Sequence, residues 1–101
     1  MNNSDASVPT RNVPVIVTTE YKGVFFGYVA TEDMENKALI RLDRAKCCIY
    51  WDRSIGGFLG LASVGPNESC RIGKQAEHVV LHGITSVSLC SSEAESRWLK
   101  A

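Results

Sequence analysis

From residue 13 onward, short apolar runs alternate with polar breaks that carry glycine, proline, asparagine or aspartate. "VIVTT" (15–19) is β-branched throughout and predicts a strand with Val15 and Val17 on one face. "EYKG" closes a turn at Gly23, and "VFFGYVATE" predicts a second strand in which Gly27 marks a bend or bulge where another backbone comes close. After the polar turn "DMENK", "ALIRLDRAKCCIYW" predicts a third strand, and its imperfect alternation places a bulge near residues 43–46. Three such strands in series form a meander. "SCRIG", "AEHVVLH" and "GITSVSLC" read as three more short strands, with Gly83 turning between the last two. Ser92 and Glu95 form an S-x-x-E capping box, which predicts a short terminal helix carrying Trp98 and Leu99.

One segment resists this reading. In "WDRSIGGFLGLASVGPN" (51–67), Ser54 is placed to cap a helix, and Ile55, Phe58, Leu59 and Ala62 follow at helical spacing until Gly65–Pro66 stops it. Yet Gly56, Gly57 and Gly60 lie inside, each costing about 1 kcal/mol relative to alanine. Such a short helix needs close packing across its glycine face, against the protein's own sheet or against another subunit.

The expected architecture is mainly β: a small antiparallel barrel of the SH3-like kind as first choice, or a strongly bent open sheet. To it are added a short glycine-rich helix or loop and a short C-terminal helix. The 101 residues make one domain, with residues 1–12 as a polar flexible arm and 13–101 as the folded part. Eleven basic and eleven acidic residues cancel, so no bulk field draws the chain to nucleic acid or anionic lipid. No apolar run is long enough to cross a membrane as a helix, and no apolar leader opens the chain. A cytoplasmic location with reduced thiols is the expectation.

The chemistry is sparse. Ser63 in "GLASVG" fails the nucleophile-elbow pattern because Leu61 stands two residues before it, and "GK" at 73–74 lacks the rest of a phosphate loop. Cys47 and Cys48 are adjacent, so on a strand they point to opposite faces, and no C-x₂-C pair anchors a zinc site with Cys70, Cys90, His78 and His82. The thiols are read as small buried hydrophobes, with a Cys70–Cys90 pair or an intersubunit bridge through Cys48 as the alternatives. His78 and His82 are read as exposed. No catalytic residue, metal or cofactor is expected. Tyr50, Trp51, Phe58, Leu59 and Leu61 are the candidate protein contacts, because aromatic and large apolar side chains dominate interfaces. Arg41, Arg44, Arg53 and Arg71 are the candidate anion contacts; with Lys46 they form the only basic cluster, set beside Tyr50 and Trp51.

The sequence pattern "VPVIVTTEYKGVFFGYV … LDRAKCCIYW … GLASVGP … CRIG … LCSSEA" resembles an uncharacterised family of small phage and prophage proteins. Val15, Gly23, Gly27, Tyr50, Trp51, Leu59, Ala62, Gly65, Arg71, Ile72 and Cys90 fall on the shared pattern, which spans roughly residues 13–95. The extra glycines of 56–60 and Lys46, where the family often has arginine, depart from it. The resemblance implies a phage context and nothing enzymatic. The expected function is a non-enzymatic accessory protein that self-associates and binds another phage structural protein or a host protein, in the host cytoplasm or as a minor capsid- or tail-associated component. Two alternatives stand beside it: a host-directed anti-defence protein that binds a host protein or sequesters a small anionic signal, and an RNA-binding small barrel.

Overall fold

In the computed structural model, residues 11–21, 23–35 and 38–101 are described; residues 1–10 of the expected arm and 36–37 of the expected turn lie outside them. Six strands form one antiparallel sheet: β1 (Val13–Thr19), β2 (Val24–Val29), β3 (Leu39–Tyr50), β4 (Arg71–Ile72), β5 (Ala76–His82) and β6 (Ile84–Leu89). Two helices, α1 (Gly57–Ser63) and α2 (Ser92–Lys100), pack against it. The expected β1–β2–β3 meander forms, and the sheet path runs β4-β3-β2-β1-β6. β5 pairs with the first half of β3 and β4 with its far end, so the two share one edge of that 12-residue strand.

β5 and β6 occupy opposite edges of the sheet, yet Gly83 alone separates them in sequence. His82 and Ile84 are two peptide steps apart, at most about 7 Å, so the sheet must curl until its edges approach. No ladder joins β5 to β6, and the sheet remains open. The closed SH3-like barrel therefore gives way to the bent sheet. Gly83 adopts a φ of +64°, which turns the backbone out of strand geometry, and its carbonyl accepts from the Glu20 N–H at 2.9 Å.

Both irregularities expected in the meander coincide. Phe26 pairs with Lys46 and Tyr28 with Asp43, so Gly27 alone faces Arg44 and Ala45 across a bulge. Arg44 takes the left-handed φ of 52° there. A Cβ on Gly27 would lie 2.9 Å from the Leu42 Cβ, which explains why that strand position is glycine.

Because the sheet curls, both of its faces are covered. Val15, Val17, Val29, Ile40, Leu42 and Leu81 fill the concave side. Ile16, Phe26, Tyr28 and Cys48 on the other face meet Leu61 and Ala62 of α1 and Ala94 and Trp98 of α2. Trp98 is the centre of that second core: fully buried, it stacks on Phe26 at 5.0 Å and donates its indole N–H to the Leu61 carbonyl at 3.0 Å. Lys46 is also buried and donates to the carbonyls of Trp98 (2.8 Å) and Ala101 (3.1 Å), satisfying the end of α2 and adding a cation where the helix dipole favours one. The cap of α2 is Ser91, whose hydroxyl accepts from the Ala94 N–H at 3.0 Å. This corrects the Ser92–Glu95 box: Ser92 is already helical, and Glu95 instead accepts from the Tyr28 hydroxyl at 2.6 Å.

Candidate interaction surface

The glycine-rich segment folds differently from the helix expected over 55–62. Arg53–Ile55 form a 3₁₀ turn, and Ser54 donates to Asp52 Oδ2 at 3.1 Å instead of capping a helix. Gly56 and Gly57 then take φ values of +84° and +80° and start α1. A Cβ on either would meet nothing within 4 Å, so their task is the backbone reversal and not the close packing expected of them. At Gly60 a Cβ would fall 1.6 Å from the Ile55 carbonyl oxygen. The close backbone is thus the preceding turn of the same chain, neither the sheet nor a second subunit.

What holds so short a helix is its C-terminal end. The Gly60 carbonyl accepts from the Val64 and Gly65 N–H groups, Leu61 from the Trp98 indole, Ala62 from the Ser91 N–H at 2.9 Å, and Ser63 from the Ser91 hydroxyl at 2.8 Å. All four terminal carbonyls are satisfied, two of them by the cap residue of α2. Gly65 permits the final close approach, since a Cβ there would sit 2.9 Å from the Arg97 Cβ.

The apolar residues of α1 then divide. Leu61 is fully buried in the core, so it is not a surface contact as expected. Phe58 and Trp51 are half-buried against the same core. Leu59 is exposed, as is Leu89 at the end of β6, and the two border an open groove of about 780 Å³ floored by Gly60, Ala62 and Ser88. Tyr50, also exposed, lies elsewhere, beside Ile49 and Arg71 where β3 meets β4. The five contact candidates are therefore spread over two surfaces and the core.

The sheet edge beside this groove is the outer side of β6. The Cys90 N–H donates to the Pro14 carbonyl at 2.9 Å, which sets the phase of the β1–β6 ladder: Ser88 bonds toward β1, and Val87 and Leu89 direct their N–H and C=O groups outward. Among the described residues no strand pairs with that outer side. Nor does any charged residue stand between positions 83 and 92.

The arginines are not gathered into one site. Arg41 lies opposite Val80 and Arg71 opposite Tyr50, nine β3 positions apart, roughly 30 Å of strand. Arg44 is engaged over the Tyr28 ring at 3.9 Å and donates to the Arg11 carbonyl at 2.9 Å. Arg53 is exposed in the 3₁₀ turn. Lys46, counted with this cluster in the sequence, is structural. The bulge at Arg44–Ala45 resets the alternation of β3 and sets Lys46 on the face of Phe26, under the end of α2.

All four cysteines are free thiols. Burial pushes Cys48 up to about 12, with Cys70 and Cys47 adding to the effect, and pushes Cys90 up to about 12 with help from Glu95; burial raises Cys47 as well. These thiols stay protonated near neutral pH and are poor nucleophiles. Cys70 neighbours Cys48 within hydrogen-bonding reach, which places it with Cys48 and not in the Cys70–Cys90 pair considered above. His78 is exposed and bonded to Asp43 at 2.7 Å. The described residues contain no group of three or more His, Cys, Asp or Glu side chains able to hold a metal ion.

The family model for a domain of unknown function, DUF6948, matches residues 12–98. The chain belongs to that family. The DUF6948 match takes in all six strands, α1 and most of α2, so the groove and the β6 edge both lie inside it. Neither a curated protein nor a solved structure matches the chain significantly. No helix of the described residues is long and apolar enough to cross a membrane.

Proposed function

We propose that this DUF6948 chain is a non-enzymatic binding module that self-associates and docks on other proteins through the surface between α1 and β6. The observation that carries the reading is the pairing of two features in one place: exposed Leu59 and Leu89 around an open groove, and an uncharged strand edge running along it. Apolar side chains next to unpaired backbone groups suit a protein partner better than a small polar substrate. Protonated thiols, Cys48 buried and Cys90 half-buried, and a histidine committed to Asp43 fit a module without a nucleophile.

In biological terms the proposal is a phage accessory protein, acting in the host cytoplasm or as a minor capsid- or tail-associated component; this part rests on the sequence resemblance. The test is native mass spectrometry of the protein purified without reducing agent, followed by a search for it in purified particles. A ligand-free oligomer, or the chain recovered with particles, supports the reading. A monomer that carries a stoichiometric small molecule and is absent from particles contradicts it.

A further inference from the structure

The outer edge of β6, which no strand pairs among the described residues, has a specific self-complementarity. We infer that β6 pairs antiparallel with β6 of a second copy about a two-fold axis at Val87, extending the two sheets into one. The inference rests on the self-association reading above and names its geometry.

The ladder phase requires that outward-facing residues meet outward-facing residues across the new edge. Centring the axis on Val87 satisfies this along the regular part of the ladder: Val87 faces its own equivalent and Ser86 stands opposite Ser88 of the partner subunit, while Leu89 meets the partner subunit at Thr85, the bulged residue where the β1–β6 register shifts. Apolar and hydroxyl-bearing cross-strand pairs of this kind favour antiparallel association. Charge permits it, because residues 83–92 carry none and two copies meet without like-charge repulsion. Exposed free edges are normally guarded by lysine, other charges or proline, and β6 carries no such guard. The same symmetry brings Leu89 of each copy, and the groove it borders, to the margin of the joint sheet, where Leu59 adds apolar area. Such a contact is isologous and closes at two copies. A single short strand pair buries less than a standard interface, so the dimer is expected to be a dynamic one.

The test is sedimentation velocity of the full chain over a concentration series, with two variants. Val87→Pro removes an N–H that points away from β1, leaving the β1–β6 ladder its own bonds. Leu89→Lys places a charge on the edge at a position already exposed. The wild type is expected to dimerise with rising concentration, and each variant to weaken the dimer at least tenfold while unchanged circular dichroism reports the fold. If Val87→Pro does not fold, Leu89→Lys decides. A wild-type dimer that both folded variants keep would overturn β6 pairing and leave self-association standing. A wild type that stays monomeric throughout would overturn both.

Discussion

The two outer strands of this sheet are built to opposite specifications. β5 holds β3 over six register pairs, from Leu39–His82 to Ala45–Ala76, and carries Glu77, His78 and His82 along its exposed length. β6 holds β1 over a comparable length and carries only Ile, Thr, Ser, Val and Leu. Both lack a second neighbour among the described residues, yet only one is guarded by charge. Charges on a free edge deter strand addition, so their absence from β6 marks the edge where addition is tolerated. The helices reinforce the contrast: α1 borders β6, and its exposed Leu59 faces the same groove as Leu89.

The most damaging way to break this arrangement is through Trp98, which anchors α1 by its indole bond and fills the core under both helices. Trp98→Ala is expected to cost about 3–5 kcal/mol, read by chemical denaturation. Hydrogen exchange should rise first in α1 and β6, with the β3–β5 ladder keeping its protection longer. Gly60→Ala is next. Its Cβ would collide with the Ile55 carbonyl, and overpacking against backbone is expected to lower stability by roughly 1–3 kcal/mol and to open the groove. A fall in melting temperature without loss of the β3–β5 ladder checks it.

Moving charge between the edges sharpens the comparison. Val80→Lys, on exposed β5, is expected to leave association unchanged, whereas Leu89→Lys on β6 weakens it at least tenfold; equal effects would make the two edges equivalent. The pH dependence is smaller. Cys48 and Cys90 have folded-state values raised to about 12 from the ordinary thiol range near 9, so the native state favours their protonated forms. Their contribution to stability is complete below about pH 9 and is lost as pH rises toward 12. Cys48→Ala with Cys90→Ala should flatten the alkaline limb of a pH–stability curve. The smallest effect belongs to the exposed Glu93–Arg97 pair at 3.0 Å, where Glu93→Gln should change stability by no more than about 0.5 kcal/mol.

Most of the sheet was legible because its cues are local. Val15 and Val17 share the concave face as their alternation implies, and Gly27 with the faltering pattern at 43–46 marked both sides of one bulge. Closure was not legible. Whether β5 and β6 zip together depends on the φ of Gly83, and the pattern there is compatible with either outcome. The helix failed for a related reason: three glycines within five residues look like one helix face, but two of them serve a left-handed reversal and the third admits a carbonyl. Leu61 and Leu59 are two residues apart and chemically identical, and only the direction of α1 decides that the first is core and the second surface. Lys46 was hidden by its charge, because sequence reading assigns lysine to solvent unless a helix end is known to await it. The uncharged run of 83–92, by contrast, was in plain view; its meaning required the knowledge that β6 is an edge.

In the proposed dimer the outward backbone groups of β6 find partners in a second copy. Amide hydrogen exchange followed residue by residue, at low and at high protein concentration, tests it most directly. The Val87 and Leu89 amides, which point away from β1, are expected to exchange freely when dilute and to become protected when concentrated, while the exposed amides of β5 do not change. Equal exchange of Val87 and Leu89 at both concentrations, with the fold intact, would contradict it.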